Sequence, residues 1–271
     1  MMKHPIQGLF PVLPIRNSVI FPGLALPLRV VRRKSIAAVR RAELQAGEAG
    51  VPAEGGWLLT LAQDRDGVKE KEGAEVGPSE LHRVGTLCKI EKIRGTEEDG
   101  YQILVRGVAR FRVMGLEEKT EDGRTWLSAR AEILNDVKDT DQQTTRALVS
   151  SLKSVAKEIL ELLPADTDQL AELSDGLEDP AYLTHLCASH LELPITKKQE
   201  LLETTSLKAR ALALLELMQA QKEGLQIKSE IRDKLSHKMG KMQRDAILRE
   251  QMKTIREELG EDTLARRMQI T

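Results

Sequence analysis

Aromatic residues are scarce in this 271-residue chain, at 3%. Two Trp, two Tyr and three Phe leave too few rings for a surface that stacks nucleic-acid bases. Cysteine is nearly absent as well: Cys88 and Cys187 lie far apart, in segments of different expected type. They read as buried thiols rather than a disulfide, which makes a reducing cytoplasm the expected compartment. Net charge is lacking too, because 41 basic side chains face 42 acidic ones and leave −1. The whole molecule therefore has no drive toward nucleic acid or an anionic membrane. No apolar run approaches the ~20 residues of a membrane span. The N-terminal MMKHPIQGLFPVLPIR is interrupted by prolines and has no signal-peptide core.

Reaction motifs are missing in the same way. There is no G-x-x-x-x-G-K-[ST] loop and no G-x-G-x-x-G, so nucleotide phosphates find no glycine cradle. There is no G-x-S-x-G elbow and no H-E-x-x-H. His185, Cys187 and His190 imitate a metal half-site, yet residues two apart on a helix point about 200° from each other. No second cluster completes four ligands. Ser18, in LPIRNSVIFPG, has no partner base that the sequence nominates.

What remains divides into two halves. Short apolar runs punctuated by Pro and Gly predict strands at Leu9–Ile15, Leu24–Val31, Trp57–Ala62, Val84–Ile93, Tyr101–Arg106, Arg110–Met114 and Trp126–Leu134. Glu98-Asp99-Gly100 and Glu121-Asp122-Gly123 read as hairpin turns. One helix, about Ser35–Gln45, interrupts them. The expectation is an α+β chain whose residues 1–134 form a mostly antiparallel barrel or sandwich with one helix. The polar NDVKDTDQQ, residues 135–143, reads as a linker.

The second half is helical. Leu148, Leu152, Val155, Ile159 and Leu162 form one stripe that stops at Pro164. Pro180 behind Asp179 starts another helix, and Thr196 with Gln199 has the pattern of a capping box. A bundle is expected over residues 144–205. A proline-free stretch follows over 206–260, about 80 Å long if it is one helix, with 261–271 as a tail. Its apolar positions thin to one per turn at Leu225, Ile227, Ile231, Leu235, Met239 and Met242. A stripe that narrow fits a helix that crosses solvent or meets partner helices.

Two sets of residues are candidate binding elements. Arg29, Arg32, Arg33 and Lys34 precede the early helix, and Arg40 and Arg41 lie on it. This cluster reads either as a solvated face or as a docking patch for an acidic or polar partner segment. Met239, Met242, Ile247 and Leu248 bring adaptable apolar groups to the long helix. Ile20 and Phe21 stand between a core role and a place on the binding surface. The alternative to protein recognition is a binding module for RNA or a small ligand, motivated by the basic cluster.

Six blocks in order carry a family resemblance. LPIRNSVIFPG, VGTLCKIEKI (Val84–Ile93) and ILVRGVARFRV (Ile103–Val113) come first, followed by DPAYLTHLCASHLEL (Asp179–Leu193), KKQELLET (Lys197–Thr204) and QRDAILREQMKTIREELGE (Gln243–Glu261). Together they resemble the N-terminal region of ATP-dependent Lon proteases. The resemblance implies a PUA-like pseudo-barrel, a helical bundle and a long helix that leads to an ATPase module. It further implies that ATP, Mg and the Ser–Lys peptidase belong to a homohexameric parent, and that this region is non-catalytic. Its partners would be unfolded or degron-bearing proteins and other copies of itself. Ala246-Ile247 stands where the family usually carries an aromatic pair.

Overall fold

The computed structural model describes residues 7–45, 56–64, 75–163 and 176–258. Six strands make one sheet: β1 (Gln7–Ile15), β2 (Ala25–Val30), β3 (Trp57–Ala62), β4 (Val84–Thr96), β5 (Gly100–Glu121) and β6 (Arg124–Ile133). Helix α1 (Arg33–Leu44) packs on β1, β3 and β6. The order is β2-β5-β4-β3-β1-β6, and β5 also pairs with β6, which closes five strands into a ring with β2 outside it. Only β1 and β3 run parallel; the other pairings are antiparallel.

The two runs Tyr101–Arg106 and Arg110–Met114 are parts of a single 22-residue strand, β5. Gly107, which divides them in the sequence, is a point of close approach. A Cβ there would meet the carbonyl oxygen of Phe21 at 2.4 Å. Without it, Gly107 exchanges 2.8 Å hydrogen bonds with the Gly23-Leu24 backbone. The expected turns form, and at the second one Asp122 and Gly123 take φ of 49° and 75°, the left-handed pair that matches strand twist in a two-residue hairpin.

The helical half contains α2 (Gln142–Leu162), α3 (Pro180–His190), α4 (Ile195–Glu203) and α5 (Leu207–Glu258). The α2 stripe is buried at Leu148, Leu152, Val155 and Ile159, facing α5 and α3. Asp179 caps α3 with Pro180 in its first turn. The expected capping box at Thr196 does not form, because α4 begins at Ile195 behind Pro194. Gln199 instead donates to the Val84 carbonyl of β4 at 2.8 Å and to Glu203 at 2.8 Å, so it ties the bundle to the sheet.

Helix α5 is continuous over 52 residues. Leu207, Ala211, Leu214 and Met218 are buried against the bundle, and Lys222 holds Glu158 of α2 at 2.9 Å. From Ile227 onward, its large apolar side chains whose exposure is described all lie more than half exposed.

Residues 135–143 are not a free linker. Val137 forms a parallel bridge with Ser206, and Asp139 accepts from Ser206 Oγ and from the Lys208 amide. Asp141 caps α2 through the Thr144 amide at 2.6 Å. The carboxylates that make the segment look solvated are matched to specific donors, and α2 already starts at Gln142.

Candidate functional site

The stretch Val19-Ile20-Phe21 is divided between two cores by simple alternation. Ile20 enters the cluster of Leu13, Val39, Leu58 and Val105 inside the sheet. Val19 and Phe21 point the other way and join Leu152, Leu183, Leu202 and Leu214 of the bundle. Thr86 Oγ1 donates to the Ile20 carbonyl and fixes the segment. With exposures of 5% and 1%, Ile20 and Phe21 cannot meet a partner from solution, so they leave the candidate set. Phe21 is the plug between the two halves, its ring 5.7 Å from that of His185 and tilted by 34°.

The basic cluster separates into engaged and outward-facing members. The Lys34 ammonium pairs with Glu118 at the surface, and its amide donates to Glu75 at 3.3 Å. Arg40 pairs with Glu97 at 3.0 Å. Arg32 is the N-cap residue of α1 but makes no side-chain cap, and it lines a cavity of about 560 Å³ with Leu13, Arg16, Leu28 and Arg29. Arg33 is exposed beside this cavity's wall at the start of α1 and is not part of its lining.

Met239, Met242, Ile247 and Leu248 are all exposed, at 51–69%. They do not form one face. At about 100° per residue, Met239 and Met242 stand about 60° apart, while Leu248 lies about 180° from Met239. The first two continue the line of Ile231 and Leu235. Leu248 opens a second line with Met252 and Ile255, also exposed. Ile247 falls between the two lines, beside Ala246.

Two features have weak sequence signals. An apolar pocket of about 170 Å³ opens between α2, α3 and α5, lined by Ile159, Leu160, Leu186, Cys187 and Met218. Gln221 also lines it, with its carboxamide oxygen buried and without a donor. The second feature is an ionic clasp. Arg110 of β5 and Arg210 of α5, almost fully buried, both bind Asp136, Arg210 with two bonds of 2.6 and 3.0 Å. Arg110 also donates to the Leu202 and Thr204 carbonyls at 2.7 and 2.8 Å. The available clue was a charge on a buried stripe: Arg210 stands between Leu207, Ala211 and Leu214.

Among the described residues the large shifts of His185, Cys88 and Cys187 give no reactive group. Burial holds the His185 imidazole down to about 3, and the nearby Arg210 and Arg110 charges push the same way. Burial raises the Cys88 thiol to about 12 and that of Cys187 to about 11, so neither is a ready thiolate. Among the described residues no three His, Cys, Asp or Glu side chains gather as metal ligands. None of the described helices is long and apolar enough to cross a membrane. The sequence carries no phosphate-cradling glycine loop.

Comparison with known proteins agrees with this architecture. A model of the ATP-dependent protease La (LON) substrate-binding domain matches residues 10–220. Lon protease 1 of Bdellovibrio bacteriovorus is 38% identical over 256 residues, which cover 94% of this chain and 30% of that protein. The Lon protease of Anaeromyxobacter dehalogenans is 36% identical over 258 residues, covering 95% and 28%. The chain thus spans about 30% of the length of these curated relatives. In fold it is similar to the N-terminal domain of Mycobacterium avium complex Lon protease, with a TM-score of 0.59 at 21% identity over 78% of this chain and 98% of that one. The Lon N-terminal domain protein from Xanthomonas campestris gives 0.50 at 18% identity, covering 77% and 98%. The chain belongs to the family of Lon protease substrate-binding domains.

Proposed function

We propose that this chain recruits protein substrates for an ATP-dependent, Lon-type serine protease in the cytoplasm and helps to organise its hexameric ring. The observation that carries the reading is the match of residues 10–220 to the substrate-binding domain. In this account the closed sheet over residues 1–134 is a PUA-like pseudo-barrel. The bundle of α2, α3 and α4 carries it, and the long helix α5 links both to ATPase and Ser–Lys peptidase modules. ATP and Mg act in those modules. Arg32, Arg33, Met239, Met242, Ile247 and Leu248 contact clients.

The physical support is a division of labour. Buried apolar groups hold the two halves together, while the outer part of α5 leaves its apolar groups in water. Unfolded clients and neighbouring copies both present apolar surface that such groups can cover. Individual contacts of this size are weak, and several on one ring raise retention through effective concentration. The test is binding of a reduced, unfolded protein to the purified chain by fluorescence anisotropy, alongside an ATPase assay. Micromolar-or-weaker binding without ATP hydrolysis supports the proposal; hydrolysis by this chain, or no binding, defeats it.

A further inference from the structure

Strand β2 lies outside the ring and pairs only with β5, so among the described residues its other edge has no strand partner. Two cavities meet on it. The first, about 560 Å³, lies between Leu13–Ser18 and Leu28–Arg32. The second, about 410 Å³, spreads over the outer face of β2, β5 and β4 and contains Pro27, Lys92, Arg94 and Gln102. Leu28 and Arg29 line both, so the two form one trough that bends around Arg29.

The register explains the charge of its floor. Arg29 pairs with Gln102, and Gln102 pairs on its other side with Arg94, which makes one row across three strands. The adjacent row is Pro27, Leu104 and Lys92. With strands about 4.8 Å apart, Arg29 and Arg94 flank Gln102 and stand about 10 Å from each other, and Lys92 sits about 7 Å along β4 from Arg94. Arg32 adds positive charge at the far end. Among the described residues no Asp or Glu lines either cavity, and Arg29, Arg32, Lys92 and Arg94 form no ion pair.

We propose that this trough binds an extended acidic segment of a protein, laid along the β2 edge with carboxylates at alternate positions. The proposal rests on the recruiting role above and gives it a substrate class. An extended chain places every second side chain on one face about 7 Å apart, the spacing of the outward positions Pro27 and Arg29 along β2, so its carboxylates face Arg29 at the edge with Arg94 behind it in the same row. The intervening side chains turn to the other face beside Leu28, and the β2 edge supplies main-chain hydrogen bonds in the manner of strand addition. Nucleic acid fits less well, because neither cavity is lined by Phe, Tyr or Trp on which bases would stack.

The test uses the full chain and a fluorescein-labelled peptide of about a dozen residues, with Glu at every second position and Leu and Ser between. Its counterpart carries Lys for Glu, and an oligo-dT serves as the nucleic-acid probe. The Glu peptide is expected to bind, more weakly as salt rises, and to lose about tenfold or more in affinity to the double variant Arg29→Glu, Arg94→Glu. An Arg29→Lys, Arg94→Lys variant keeps binding, and unchanged thermal midpoints show that the variants fold. Equal binding of the Lys peptide, tighter binding of oligo-dT, or an unaffected Glu variant overturns the proposal. Reduced, carbamidomethylated lysozyme, an unfolded cationic client, separates the two readings. If it binds while the Glu peptide does not, the trough fails and recruitment stands; if neither binds, both fail.

Discussion

Arg110 of the sheet and Arg210 of the long helix grip the same carboxylate, Asp136. The three residues lie on β5, on the segment before α2 and in the first turn of α5, so one cluster fixes the sheet, the connection and the long helix together. Thr184 of α3 accepts from Arg210 Nε at 3.2 Å and adds the bundle. Both guanidinium groups also reach the carbonyl of Thr204, which closes the gap between α4 and α5. Removing the carboxylate leaves two buried cations facing each other.

Asp136→Asn is therefore expected to destabilise the chain by about 3–5 kcal/mol, the usual cost of breaking a buried pair from one side. Urea unfolding followed by circular dichroism measures it. A midpoint equal to that of the unsubstituted chain would contradict the clasp.

His185 gives the clasp a pH signature. Its folded-state value, about 3, lies below the ordinary 6.5 of the unfolded chain. Between those values the unfolded state binds a proton that the native state refuses, so stability is complete above about pH 6.5 and falls as the pH drops. The slope from this one group approaches about 1.4 kcal/mol per pH unit. Asp136, held low by the hydrogen bonds and charges of the two arginines against the opposing effect of burial, acts in the same direction at lower pH. His185→Leu is expected to flatten the stability profile between about pH 6.5 and 5, measured by urea titration at each pH.

Phe21→Ala opens a cavity between the two halves and is expected to cost about 3–5 kcal/mol. Ile20→Val trims one methylene on the sheet side and costs about 1 kcal/mol. Comparing the two unfolding curves shows whether Phe21 joins the halves. Equal small effects would mean that it does not.

Much of the architecture was legible in the sequence, for physical reasons that differ by element. Alternation fixed the strands, and the Leu148–Ile159 stripe fixed α2, because each follows the period of one buried face. The long helix was legible from missing prolines and thinning apolar residues. Residues 135–143 misled, since composition cannot distinguish a carboxylate facing water from one facing a buried arginine 74 residues away. Arg110 sits in a strand with Arg106 and Arg112, and nothing local marks it as the buried one. At the candidate positions the sequence left α5 open between crossing solvent and meeting partner helices; Phe21 is buried and Lys34 is paired at the surface by partners distant in sequence, which no local pattern marks.

The methionines on α5 should separate binding from stability. Met239→Ser with Met242→Ser touches no packed neighbour, so stability should move by less than about 0.5 kcal/mol. Affinity for an unfolded client should fall severalfold. Leu248→Ser lies on the opposite line of the helix, so its effect should combine additively with the methionine pair if the two lines act independently.

The most direct test of the central claim is a single titration of the purified chain into labelled, reduced and carbamidomethylated lysozyme, followed by anisotropy, with native lysozyme as the control. A substrate-recruiting region binds the unfolded form in the micromolar range or more weakly and ignores the native form. No binding of the unfolded form, or equal binding of both, would contradict the account.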